Sequence, residues 1–177
     1  MKPGLRKFVL TAHITFAVGW IGAVAGFLAL AIVGITSKDV QVVRSTYLAM
    51  QLIARFVIVP LSFAPLLTRP ILSLGTPWGL FRHYWILAKL LLTILCTIIM
   101  QLHMQPINIL AGAAAKTILS SAEHSLQIQM VVAASAALLA LLVATLLGVY
   151  KPQGMTSYGW QKQDEKRAVS PHVDAAT

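Results

Sequence analysis

Apolar residues gather along the chain into four long stretches with short polar breaks between them. The first runs from about Phe8 to Thr36 and carries no charge. The second, about Tyr47 to Leu67, contains Arg55 and Pro60, and the third, about Tyr84 to Met104, contains Lys89. The fourth, about Leu126 to Tyr150, is mostly Ala, Leu and Val. A helix needs about 20 mainly apolar residues to cross the ~30 Å hydrocarbon layer of a bilayer, and all four stretches reach that length. The first also outruns the ~7–15-residue apolar core of a secretory signal, so a retained helix is expected. The pattern predicts an all-α membrane protein: a four-transmembrane-helix bundle over residues 1–150, followed by a flexible cytoplasmic tail over 151–177.

Helices in lipid associate by close packing, so small residues mark expected contacts. Gly19, Gly22 and Gly26 recur on the first helix, the last two as a GxxxG pair, and Ala136, Ala140, Ala144 and Gly148 recur every fourth residue on the last. Both patterns predict tight neighbours. Pro60 should kink the second helix by removing a backbone hydrogen bond, and Arg69-Pro70 should end it.

Composition narrows the class. The 177 residues are 58% hydrophobic and only 11% charged, with a mean hydropathy of +0.78. A soluble domain is about a quarter charged, so a water-soluble enzyme and a disordered chain are both excluded. The net charge of +9 would point to nucleic acid in a soluble protein. Here the basic residues flank apolar segments, so positive-inside placement explains them and no nucleic-acid partner is expected. With the N-terminus inside, Lys2, Arg6, Lys7, Arg69, Arg82, Lys151, Lys162, Lys166 and Arg167 share one side, against Lys38, Arg44 and Lys116 on the other. That bias places both termini in the cytoplasm, as expected for a multi-pass protein of a bacterial inner membrane. Trp78, Phe81, Tyr84 and Trp85 would mark the inner interface, where the Gly75–Gly79 segment has turn chemistry and suits the membrane surface. Tyr158 and Trp160 would anchor the tail. The single cysteine, Cys96, rules out an internal disulfide.

Ionisable residues within a span cost ~2.5–3.5 kcal/mol each on insertion scales, so they usually point into the protein. At 100° per residue, the third helix aligns Arg82, Trp85, Lys89, Thr93, Cys96, Met100 and His103. The second aligns Gln51, Arg55 and Ser62, and the first aligns His13, Phe16, Trp20 and Val24, roughly opposite its glycines. A seam-to-seam arrangement is expected. The ~1.5 Å rise per residue sets His13 and Lys89 at nearly one depth in the cytoplasmic half, with Arg55 well above them. No acidic residue lies in any span: Asp39, Glu123, Asp164, Glu165 and Asp174 are all outside. Uncompensated cations call for an anionic ligand, a lowered lysine pKa or snorkelling to an interface. Arg55 is too far from either end to snorkel.

The order His13-x6-Trp20-x-Gly22, then Arg55-Phe56-Val57-Ile58-Val59-Pro60, then Trp85-x3-Lys89 resembles the HemJ-type protoporphyrinogen oxidases. It is also similar to the related CopD-like domains of copper-resistance proteins. These likenesses cover residues 8–104. The terminal run Lys151-Pro152-Gln153-Gly154-Met155-Thr156-Ser157-Tyr158-Gly159-Trp160 resembles a third, uncharacterised group of bacterial four-helix membrane proteins. The HemJ-type resemblance implies b-type haem on His13, with Arg55 and Lys89 at the matching basic positions. Haem is a flat apolar macrocycle with two propionates, which suits an apolar bundle offering a histidine and two cations. Trp20 and Phe16 would supply flat contact area. An oxidase role draws less support from the tail, so whether the chain is an enzyme stays open.

A second cluster lies toward the outer end, where Met100, His103 and Met104 stand near Cys96, with His124 on the next helix. Thioether and imidazole ligands suit Cu(I), which makes copper handling the alternative to haem or tetrapyrrole binding, although methionine also fills gaps in cores. A structural role beside another membrane protein is the third possibility. The sequence has no phosphate-binding Gly-rich loop, no HExxH and no paired carboxylates. A transporter built this way would require a homo-oligomer.

Overall fold

The computed structural model describes residues 3–74, 84–115 and 121–150, with Thr156, Trp160 and Gln161 of the tail. Helix α1 spans Pro3–Thr36, α2 spans Val40–Ile53, and a π-helical turn over Ala54–Ile58 leads directly into α3, Val59–Leu74. Helices α4, Tyr84–Ala115, and α5, Ser121–Tyr150, complete the chain. The segment from α2 to α3 is one continuous rod, so the elements make four spans, each long and apolar enough to cross a membrane. Among the described residues there is no strand. The fold is the expected four-helix all-α bundle.

The bundle is a closed square. Helix α1 packs on the α2–α3 rod, that rod on α4, α4 on α5, and α5 back on α1. Three pairs fix the first interface as antiparallel in constant register: His13 with Thr68, Gly19 with Leu61, and Gly34 with Tyr47. Gln51 with Asn108 and Ser62 with Thr97 do the same between the rod and α4, and Lys89 against Gly148 sets α4 on α5. The first turn is tight because Asp39 caps α2, its carboxylate accepting from the Gln41 N–H at 2.8 Å while its own N–H donates to Ser37 Oγ.

Several serine and threonine hydroxyls within the spans bond to carbonyls of their own helices, as suits lipid, whereas the buried Tyr47 hydroxyl has no hydrogen-bond partner. Thr93 donates to the Lys89 carbonyl at 2.7 Å, Thr97 to Thr93 at 2.8 Å, and Ser135 to Val131 at 2.8 Å. These residues therefore cost little where they stand and do not by themselves mark a site.

One residue before Pro60, the Val59 N–H reaches back five residues to the Ala54 carbonyl in the π turn. Other local expectations are corrected. Helix α3 continues through Arg69-Pro70 to Leu74, because membrane helices tolerate proline once the freed backbone groups are otherwise satisfied. The GxxxG face points outward, with nothing within 4 Å of a Cβ built at Gly22 or Gly26. On α5, Ala144 is buried and Gly148 meets Lys89, but Ala136 is exposed. The expected interface segment around Trp78 and Phe81, Arg82, Tyr158 and most of the tail lie outside the described residues. Of the tail anchors, Trp160 is exposed, and its N–H donates to the carbonyl of buried Thr156.

Candidate functional site

Polar and soft side chains enter the bundle at two levels. The inner level is built on α1, α3 and α4. His13 is half-buried, with Nδ1 2.7 Å from Thr68 Oγ1. The Thr68 hydroxyl spends its proton on the Ala64 carbonyl at 2.8 Å, so it accepts from His13 Nδ1–H. In the neutral ring the lone pair then sits on Nε2, the nitrogen a metal would use, and the ring is oriented from behind as ligating histidines usually are. The helix registers place His13 and Lys89 within about one turn of each other in depth. Lys89 is half-buried along Gly148, with its ammonium 5.8 Å from the centre of the Trp85 ring. Two turns above His13 on the same face, Trp20 is only 3% exposed, and its indole Nε1 is buried without a hydrogen-bond partner. A buried orphan donor costs ~1–3 kcal/mol, so an acceptor brought there gains that much.

The outer level is a cavity of about 40 Å³ between the helices. Cys96, Met100 and His103 of α4 line it from one side and Met130 of α5 from another, with Val24, Phe27 and Ile58 closing the apolar wall. His103 Nδ1–H donates to the Ile99 carbonyl at 2.8 Å, which again leaves the lone pair on Nε2. A water needs ~10–15 Å³ of such space and drug-sized ligands ~300–1,000 Å³, so this cavity is scaled to an ion or a few waters. Met104 packs beside the core without lining the cavity. His124 sits further out, donating from Nδ1 to Gln127 Oε1 at 3.1 Å. Among the described residues no three of His, Cys, Asp and Glu gather as a metal set, so any ion held here would rely on thioether sulfur.

Sequence periodicity placed α1 and α4 correctly. Trp20 and Val24 are buried, as are Thr93 and Cys96 one and two turns beyond Lys89, while Phe16 is 37% exposed at the edge of its seam. The second helix differs. Ser62 is fully buried, Gln51 half-buried and Arg55 exposed, its guanidinium 5.9 Å from the Phe56 ring centre. The cause is the π turn, which acts as a one-residue insertion and rotates the faces before and after it by about 100° relative to a straight helix. The inward stripe is instead Tyr47, Met50, Ala54, Ile58 and Ser62. The register sets Arg55 level with Ala25 and Gly26, ~18 Å along the bundle from His13. The registers thus set His13 and Lys89 at one level and Trp20 two turns above them at the middle of α1, with Arg55 further along and exposed. Met130 was missed. It is the one methionine of α5, and antiparallel pairing brings it over His103 and Ile107.

No protein family, curated protein or solved structure matches the chain. What it does is therefore read from its own residues.

Proposed function

We propose that this four-span integral membrane protein handles a soft metal ion, Cu(I), in the outer cavity. The observation carrying this reading is the convergence of a thiol, two thioethers and an imidazole of fixed tautomer (Cys96, Met100, Met130 and His103) on one ion-sized space. Soft sulfur ligands with imidazole select Cu(I) over harder cations. The CopD-like resemblance points the same way, and Met104, next to the cavity, is the replacement ligand of an ion moving along α4. The test is competition between detergent-purified protein and a colorimetric Cu(I) chelator under anaerobic reducing conditions. One bound equivalent is expected, lost in a Cys96→Ala/Met100→Leu/Met130→Leu variant. No competition by the parent protein sinks the proposal.

A second reading rests on a different observation, the His13–Thr68–Ala64 hydrogen-bond chain together with the orphaned indole of Trp20. In it His13 ligates the iron of b-type haem, Lys89 meets a propionate and Trp20 supplies a donor and a flat surface, while the bound group supplies the redox chemistry. A Soret band in the purified protein that disappears in His13→Ala supports it, and a colourless preparation from haem-supplied cells speaks against it. Whichever ligand is held, the charge bias between the two ends supports cytoplasmic termini in a bacterial inner membrane. A C-terminal green fluorescent protein fusion should glow and a C-terminal alkaline phosphatase fusion should be inactive.

A further inference from the structure

Beyond the cavity, toward the end of the bundle where α5 begins, lies a second series of polar and soft side chains. His124 stands exposed in the first turn of α5, and its Nδ1–H donates to Gln127 Oε1 at 3.1 Å. In the neutral ring the lone pair is then on Nε2, the nitrogen a metal would use. Gln127, one turn deeper, is only 6% exposed. Its side chain approaches the Tyr47 hydroxyl across the bundle, and that hydroxyl, also buried, makes no aligned hydrogen bond.

This approach sets the register between the α2–α3 rod and α5, which lie diagonally in the square and run in the same direction. Three residues further along each helix, toward the cavity, come Met50 and Met130. Both are only 1% exposed. They stand at nearly one level, about 4.5 Å deeper than Tyr47 and Gln127, and Met130 lines the cavity. The order from the helix end is therefore an imidazole, a phenol–amide pair, two thioethers, and then Cys96, Met100 and His103.

Two features of this series suit passage better than sealing. A buried amide beside an unsatisfied phenol is a costly plug for an apolar bundle, yet both oxygens can face an ion as it sheds its water. Methionine is unbranched, so the sulfur of Met50 can swing between neighbours where a leucine of similar volume would only fill space. Imidazole and thioether are also the donors that a soft ion prefers at every step.

We infer that Cu(I) reaches the cavity from this end: His124 Nε2 takes it up, and Met50 and Met130 pass it to Cys96, Met100 and His103. The inference rests on the Cu(I) reading and adds to it the route of the ion. Each transfer is a ligand exchange, in which one donor bond forms as another breaks. The ion stays Cu(I), no electron moves, and the Cys96 thiol releases its proton to the buffer as the sulfur binds.

The test is the rate at which the detergent-purified full-length chain takes Cu(I) from a weak chelator, followed by stopped flow beside the equilibrium competition. His124→Ala and Met50→Leu should each slow loading about ten-fold while affinity and stoichiometry stay those of the parent. Unloading should slow by the same factor, because a route alters the barrier and not the end states. His124→Ala leaves the core packing untouched, so it carries the test however Met50→Leu folds. Loading at the parent's rate in His124→Ala, or in a folded Met50→Leu, overturns the inference. So does a loss of affinity in either that matches Met130→Leu, which would make the residue a ligand of the resting site. In these outcomes the parent still binds copper and the Cu(I) reading stands, whereas a parent that binds none removes both.

Discussion

The hydroxyl end of the Tyr47 ring abuts Gly34. A Cβ built on Gly34 would stand 2.8 Å from both Cζ and the hydroxyl oxygen of Tyr47. Contacts that short force something to move, and both residues are buried where the first two spans turn into one another. Gly34→Ala is therefore expected to lower stability by about 1–3 kcal/mol, the usual cost of overpacking a filled site. Gly22→Ala and Gly26→Ala, which meet open space, should leave it unchanged. Thermal unfolding of the three variants in one detergent makes the comparison, and equal midpoints would contradict the packing described.

Met130 gives a cleaner test of the cavity than any alanine substitution. Methionine and leucine have similar volumes, so Met130→Leu should cost under about 1.5 kcal/mol of stability. It removes the thioether that α5 brings to the cavity. Cu(I) affinity should fall about ten-fold or more while the unfolding midpoint barely moves, because leucine has no donor atom. An affinity unchanged within error would show that Met130 only fills space.

Thr68 is the hydrogen-bond partner of His13 Nδ1. Removing the hydrogen-bond partner behind a metal-bound histidine typically weakens binding by about 10–100-fold. Thr68→Ala should thus weaken haem retention by that factor while leaving its Soret position close to the parent's, and Thr68→Ser should restore binding. The readout is the haem-to-protein ratio after titration into detergent-purified protein. Identical retention in all three proteins would mean that the His13–Thr68 bond serves packing alone.

Gln51 and Asn108 tie the second span to the third across the outer surface. Interhelical hydrogen bonds of this kind contribute on average about 0.6 kcal/mol, and at most about 1.7, in double-mutant cycles. A cycle of Gln51→Ala, Asn108→Ala and the double variant should return a coupling energy in that range. A coupling of zero would mean that the Gln51–Asn108 bond contributes nothing to holding the second span on the third.

Much of this architecture is legible in the sequence, for reasons visible in particular residues. Spans follow from apolar length, and the inward faces of α1 and α4 follow from straight α-helical periodicity through Trp20–Val24 and through Lys89, Thr93 and Cys96. Three things were not legible. The π turn inserts a register shift that no hydropathy pattern reports, which is why Arg55 and Ser62, aligned on paper, occupy different faces. The open GxxxG pair shows that small residues permit close approach without compelling it, whereas Gly34, outside any repeat, is the described glycine of α1 where an added Cβ would clash. The cavity combines Met130 with Cys96, Met100 and His103 through packing between α4 and α5, and linear spacing within one helix carries no trace of that pairing.

The wide turn at Ala54–Ile58 also makes the second span sensitive to its length in a way the other spans are not. Deleting one residue there would let the rod close into ordinary helix and turn everything beyond it like a screw by a little over a quarter of a revolution. Thr68 would swing away from His13, Ser62 would leave the core, and the fixed first half would still present Gln51 to Asn108. A single codon thus separates two incompatible halves of one rod, and an inserted residue in that stretch is no more acceptable than a missing one.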